Sequence, residues 1–236
     1  MADFTHFEAA SASEILTWAL GTFNDSFAIA SSLQKEGMVI LDMASQIAPG
    51  RVRVFTLDTG RLPQETHDMI ETVRRRYEID VEMVFPAREE VERMVSGHGP
   101  NLFYNSVQSR LLCCEVRKVR PLTRKLRTLR AWATGLRRAQ SETRAGIAKV
   151  EEADGRIKIS PLADWSGEQV DAYIREHNVP VHPLYARGYT SIGCAPCTRA
   201  VGADEGERAG RWWWEDDSKK ECGIHFAADG TVTRHA

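Results

Sequence analysis

Five cysteines carry the most specific chemical signal in this chain. Cys113 and Cys114 are adjacent, Cys194 and Cys197 are separated by Ala195 and Pro196, and Cys222 stands in Glu221-Cys222-Gly223-Ile224-His225. Four thiolates drawn from two distant places match the ligand count of a structural zinc or an iron–sulfur centre. The adjacency favours iron. Zinc halves generally keep two or more residues between ligands, and neighbouring thiolates on one small ion close a strained ring, whereas a cluster offers separate irons to adjacent side chains. Cys222 is then left over for nucleophilic chemistry. Inert burial is the competing reading, since free cysteine is among the most buried residue types; two separate pairs count against it.

Charge agrees with an anionic site. From Arg110 to Arg130 the chain carries Arg110, Arg117, Lys118, Arg120, Arg124, Lys125, Arg127 and Arg130 against the single acid Glu115. Such a stretch would stabilise a net-negative thiolate cluster and attract anionic substrates. With a net charge of -2 and a pI near 6.4, there is no broad basic face for nucleic acid. The 236 residues, 42% hydrophobic and 27% charged, suffice to bury one core. No run approaches the roughly 18 apolar residues of a membrane span, and Met1-Ala2-Asp3-Phe4 has neither the basic start nor the apolar stretch of a signal peptide. The expectation is a cytoplasmic protein, in which reduced thiols bind metal or react rather than pair. Homo-oligomerisation is left open.

The elements that must position these residues alternate. Ser13 to Leu20, Gly37 to Ile47 and Glu89 to Val95 read as helices, as does the stretch after Pro63 with Ile70 and Val73 on one face. Phe27 to Leu33, Val52 to Leu57, Val81 to Phe85 and Arg130 to Gly135 read as strands. Leu111 to Leu129 reads as one basic helix, Asp154-Gly155 as the turn of a hairpin, and Ser166 with Gln169 as a capping box for a helix through His177. Strand–helix alternation implies an α/β fold, a parallel sheet flanked by helices with ligands at the carboxyl ends of its strands. Beyond Pro183 the periodicity dissolves. The expected organisation is an α/β body over residues 1–195, carrying the candidate cluster site, and a flexible C-terminal segment, 196–236, carrying Cys222.

Five stretches occur together in one order: Leu57-Asp58-Thr59-Gly60-Arg61-Leu62-Pro63-Gln64-Glu65-Thr66, Cys113-Cys114-Glu115-Val116-Arg117-Lys118, Thr134-Gly135-Leu136-Arg137-Arg138-Ala139-Gln140-Ser141, the Cys194/Cys197 pair, and Glu221 to His225. In these the chain resembles the sulfonucleotide reductases, specifically their iron–sulfur branch, the adenosine 5′-phosphosulfate reductases, from about Phe27 to His225. The resemblance implies an adenine-nucleotide alpha-hydrolase-like fold, a 4Fe-4S cluster on Cys113, Cys114, Cys194 and Cys197, and Cys222 as nucleophile. It further implies Lys118, Arg144, Arg208, Arg211 and His225 around the phosphate and sulfate oxygens, with Gly135 among the substrate contacts. Arginine's planar fork suits such oxyanions. His225, three residues past Cys222, is placed for substrate contact or thiolate tuning. With four cysteines taken as ligands, no second thiol remains to release sulfite from a Cys222 adduct. An external dithiol is implied, and the resemblance points to thioredoxin.

The loop after the first strand departs from the wider fold. Where nucleotide-binding members carry Ser-Gly-Gly-x-Asp-Ser, this chain has Ser31-Ser32-Leu33-Gln34-Lys35-Glu36-Gly37. That argues against an ATP pyrophosphatase and leaves Ser31, Ser32, Gln34 and Lys35 as candidate phosphosulfate contacts, against a plain polar turn. Asp58, Thr59 and Arg61 follow a buried strand, where a ligand-facing loop is favoured over a turn and helix cap. Trp212, Trp213 and Trp214 read as core or a hinge anchor rather than a stacking platform. The competing functions are reduction of the 3′-phosphorylated sulfonucleotide, ATP-dependent sulfur insertion into tRNA, and a zinc-stapled binding module.

Overall fold

In a computed structural model, the structure describes residues 3–140 and 144–215; Cys222 and His225 lie outside the described residues. Among the described residues, six strands form one sheet in the order β3-β2-β1-β4-β6-β5: β1 Phe27–Ala30, β2 Val54–Leu57, β3 Val81–Val84, β4 Ala131–Thr134, β5 Val150–Ala153 and β6 Arg156–Ile159. All pairings are parallel except β5 on β6, the hairpin closed by Asp154 and Gly155, both at positive φ. The chain runs outward from β1 to β3 and then returns to β4 on the other side of β1. This reversal opens a crevice at the carboxyl ends of β1 and β4, where ligands bind in such sheets.

The helices are α1 Ala12–Phe23, α2 Lys35–Ile47, α3 Gln64–Tyr77, α4 Arg88–His98, α5 Val107–Cys114, α6 Arg120–Leu126 and α7 Gly167–His177. Capping boxes start α1 (Ser11 with Glu14) and α7 (Ser166 with Gln169), and Pro63 precedes α3. The fully buried α2 residues Met38, Val39, Ile40 and Leu41 pack with Ile29 of β1 and with Ile15 and Leu16 of α1. At about 1.5–3 kcal/mol for each large apolar side chain removed from water, this layer is the main source of stability. Asp42, buried within it, accepts hydrogen bonds from Tyr77 and Tyr173 at 2.9 Å each, which joins α2 to α3 and α7. Burial and the Asp42 carboxylate hold both phenols above their ordinary pKa.

The basic stretch is not one uniform helix from Leu111. It begins at Val107, capped by Ser106, widens into a π-helical turn over Glu115–Val119, and ends at Leu126. Pro121 has no N–H to donate to the Arg117 carbonyl four residues back, and the wider turn absorbs that missing bond. The first strand stops at Ala30 rather than Leu33, because Leu33 takes a left-handed backbone (φ 57°) within the β1–α2 loop. No helix among the described residues is long and apolar enough to cross a membrane.

Buried His182 fixes the chain beyond α7. Its Nδ1 accepts from the Leu184 amide at 3.3 Å, so Nε2 carries the proton and donates to Thr66 Oγ1 at 3.0 Å. Burial lowers its pKa, partly offset by Glu65. The unfolded chain therefore takes up this proton first as pH falls through the ordinary histidine value near 6.5, and the stability present above that pH is lost below it. Thermal melts at pH 7.5 and 5.5 are expected to show a larger drop in Tm for the native chain than for His182→Asn. Equal drops would mean that His182 contributes nothing to the pH dependence.

Candidate active site

A cleft of about 500 Å³ opens at the crossover between β1 and β4. Its apolar lining is Phe55, Leu57, Leu62, Leu122, Leu136 and Val170, its cations are Lys35, Lys118, Arg137, Arg144, Arg208 and Arg211, and its carboxylates are Glu36, Asp171 and Glu207. Ser31, Ser32, Gln34, Thr59 and Gly135 also line it. Beside it lies a cavity of about 20 Å³ enclosed by Cys113, Cys114, Cys194 and Cys197 with Arg61, Arg110, Arg117, Lys118 and Trp212. Lys118 belongs to both spaces, carried there by the widened turn after the cysteine pair.

Local structure explains these placements. Cys113 and Cys114 end α5 facing a packed shell of Met94, Phe103, Val116 and Trp212. Cys194 and Cys197 flank a short 3₁₀ turn closed by the Cys197 amide on the Cys194 carbonyl at 2.9 Å, and the Ala195 amide binds the Arg61 carbonyl at 2.8 Å. Thr59 Oγ1 lies 3.2 Å from Cys194 Sγ, and Arg117 Nη1 donates to the Thr59 carbonyl at 2.6 Å. The two motifs thus meet against the β2–α3 turn. Burial pushes the Cys197 thiol up to about 12, helped by the Cys194 and Cys114 sulfurs. Burial also raises Cys113, against the pull of Arg117. Among the described residues, no three His, Cys, Asp or Glu side chains are grouped so as to hold one metal ion.

Several residues singled out in the sequence have partners within the protein: Asp58 and Arg61 lie outside the cleft lining, while Ser31, Gln34 and Lys35 line the cleft and are also held there. Asp58 accepts from the Gly60 amide at 2.7 Å and pairs with His67 at 2.9 Å; it caps the turn and does not line the cleft. Arg61 faces the cysteine cavity, donating to the Pro100 carbonyl and Asn101 at 2.8 Å each. Gln34 accepts from the Ile192 amide at 2.8 Å and donates to Ser32 at 2.9 Å, which couples the β1–α2 loop to the 190–193 loop. Lys35 pairs with Asp171 at 2.7 Å and lies 5.0 Å from the Tyr185 ring, a clasp across the cleft mouth. Ser31 Oγ accepts from the Leu33 amide at 3.0 Å and stabilises the left-handed residue there.

Other cleft residues were not singled out as contacts from the sequence. Arg137 pairs with Glu36 at 2.9 Å, and Gln140 donates to the same carboxylate at 3.1 Å, with both partners on the cleft wall. Their signal was their place in the motif after β4. Gly135 is required there because a Cβ would come 2.8 Å from Glu36 Cβ and 3.1 Å from the Gly37 amide. A Cβ at Gly193 would come 2.6 Å from Cζ of buried Arg211, so the guanidinium would have to move. Gly193→Ala is expected to displace this guanidinium and weaken binding of a phosphate anion in the cleft about tenfold, the loss of roughly one charge-assisted hydrogen bond. Calorimetric titration with inorganic phosphate checks it, and an unchanged affinity would show that Arg211 does not hold the anion.

A mostly parallel sheet with this crossover and a cleft at its carboxyl edge is the doubly wound α/β arrangement, and the solved structures it resembles place it in the adenine-nucleotide alpha-hydrolase-like fold class. Yeast FAD synthetase shares the fold, with a TM-score of 0.54 and 13% identity over 85% of this chain and 70% of its own. The chain belongs to the phosphoadenosine phosphosulfate reductase domain family, whose model matches residues 26–200. It is 49% identical over 220 residues to the adenosine 5′-phosphosulfate reductase of Burkholderia cepacia, covering 92% of this chain and 87% of that one. It is 50% identical over 203 residues to the protein of the same name from Allochromatium vinosum, covering 85% and 79%. The crystal structure of the phosphoadenylyl-sulfate reductase from Candida auris, a phosphate complex, superposes with a TM-score of 0.69 at 30% identity, over 85% of this chain and 98% of its own.

Proposed function

We propose that the chain reduces adenosine 5′-phosphosulfate to sulfite and AMP in the cytoplasm, with Cys222 as nucleophile and thioredoxin as the external dithiol. The observation that carries this reading is Lys118, which faces both the nucleotide-sized cleft and the four-cysteine cavity. The apolar lining suits an adenine, and Lys118, Arg144, Arg208 and Arg211 suit the phosphate and sulfate oxygens. In the first step the Cys222 thiolate attacks the sulfate sulfur, the bond from sulfur to the bridging oxygen breaks, and AMP leaves with that electron pair. The product is a thiosulfonate on Cys222. The cations offset charge that grows on the leaving phosphate. One thiolate of the dithiol then attacks the Cys222 sulfur, expelling sulfite, and its second thiol resolves the mixed disulfide. The dithiol supplies both electrons. His225 is assigned to substrate contact or thiolate tuning. Residues 1–195 serve as the reductase body together with 196–215, which contribute Cys197 and Trp212 to the cysteine cavity and Arg208 and Arg211 to the cleft; the nucleophile follows at Cys222.

The donor set fits a 4Fe-4S cluster. Four thiols from two elements enclose one cavity, no disulfide joins them, and Arg61, Arg117 and Lys118 offset the charge of bound thiolates. When bound, such a centre supplies fixed negative charge and a covalent link between α5 and the Cys194–Cys197 turn. Burial keeps Cys113 and Cys197 protonated in its absence, so loading releases protons.

The family model and the Candida auris neighbour are named for the 3′-phosphorylated substrate, and that is the second reading. Sulfite release from each sulfonucleotide with thioredoxin present separates the two. Turnover is expected to favour adenosine 5′-phosphosulfate strongly; equal or reversed preference would overturn the substrate assignment.

A further inference from the structure

A bridge of two side chains spans the mouth of the cleft. Lys35, the first residue of α2, pairs with Asp171 of α7 at 2.7 Å, and both residues line the cleft. Their side chains are 31% and 42% exposed, so the pair stands at the solvent edge of this space rather than in its depth. Tyr185 adjoins it, with Lys35 Nζ 5.0 Å from its ring centre and the Lys35 amide donating to its hydroxyl at 3.5 Å.

Both abutments are fixed, whereas the bridge is not. Ahead of Lys35 the loop is held by the Leu33 amide on Ser31 Oγ at 3.0 Å and by the Ile192 amide on Gln34 at 2.8 Å. On the far side α7 is anchored by buried Val170 and Ile174 and by the Tyr173 hydroxyl on buried Asp42 at 2.9 Å. Tyr185 belongs to the turn Pro183–Arg187, which starts from buried His182. Each side of the mouth is therefore tied into the body, and the exposed pair closes the gap between them. An exposed ion pair contributes little to stability, because water competes for both charges and the side chains lose freedom in holding one geometry. It breaks and re-forms without any backbone movement. Exposed side chains change rotamer in picoseconds to nanoseconds, far faster than a nucleotide exchanges, so passage through the mouth follows the fraction of time the pair is open.

We propose that the Lys35–Asp171 bridge gates the cleft: it closes over the empty and the filled site alike, and so sets how fast nucleotide enters and leaves without setting how tightly it binds. This rests on the cleft being the nucleotide site. Neither residue borders the four-cysteine cavity, so the gate can be altered without touching the candidate cluster ligands.

On the full chain prepared without oxygen, phosphorus NMR exchange of AMP gives koff, calorimetry gives Kd, and their quotient gives kon. Asp171→Asn is expected to raise kon and koff together by about three- to sixfold, the gain on removing a pair of ordinary surface strength, with Kd and the melting transition unchanged. Asp171→Glu, which keeps the carboxylate, is expected to return both rates to the native values. Salt screens an exposed pair, so the ratio of koff between Asp171→Asn and the native chain should approach one as ionic strength rises. Native rates in Asp171→Asn overturn the gate. A tighter complex with slower dissociation overturns it too, because it shows Lys35 released to hold the phosphate, and so does a weaker complex through koff alone, which makes Asp171 a ligand contact. Failure of the native chain to bind AMP instead overturns the assignment of the cleft to a nucleotide.

Discussion

Cys222→Ser is expected to abolish sulfite formation while leaving nucleotide affinity intact. Removing a nucleophile costs on the order of 10⁴–10⁶-fold in turnover, because no other group in the site can form the covalent intermediate. The native chain, mixed with adenosine 5′-phosphosulfate and no reductant, should release about one AMP per site and stall, since the other four cysteines are assigned to the cluster. The stalled protein should be heavier by one SO₃ group on the peptide containing Cys222, and reduced thioredoxin should restore its mass and release sulfite. Lys118→Ala inverts the pattern. It keeps the thiol but loses a cation from the cleft lining, so binding should weaken by about 1.5–3 kcal/mol, roughly 10- to 100-fold. Normal sulfite formation by Cys222→Ser, or the mass appearing on another cysteine, would overturn the mechanism while leaving the fold untouched.

Cys114→Ser and Cys197→Ser are expected to be the other severe changes. Protein prepared without oxygen should be brown, with about four irons per chain, and either substitution should bleach it and remove activity, whereas Cys222→Ser should stay coloured. The physical reason lies in the buried cavity. Its four thiols come from α5 and from a turn distant in sequence, so losing one ligand removes a link between elements as well as a charge. The melting transition should therefore fall along with the colour. One equivalent of zinc and no iron after anaerobic reconstitution would sink the cluster assignment.

The α/β class, most elements and each chemistry-bearing motif taken singly are legible in the sequence because they are local. Apolar period, a capping pair such as Ser166 with Gln169, and Asp154-Gly155 between two short strands each act within a few residues. The paired cysteines and the basic residues after them likewise read directly as motifs, whereas the π-helical turn that carries Lys118 to both spaces does not. What the linear chain leaves undecided is how each polar side chain is spent. Asp58 and Thr59 are adjacent, yet the first caps its own turn while the second reaches Cys194 and lines the cleft. Arg61 and Lys118 are both cations in motifs, yet only Lys118 reaches the cleft, because Arg61 is captured by the 100–101 loop. Leu33 takes a left-handed backbone where the wider fold uses glycine, sustained by the Ser31 hydroxyl and by complete burial. The fork from Arg110 to Glu215 spans 105 residues and has no local signature. Tertiary structure decides these commitments because a polar group removed from water must take whichever partner the packed elements bring to it, and for Arg61, Arg110 and Thr59 that partner lies 39, 105 and 135 residues away in the chain.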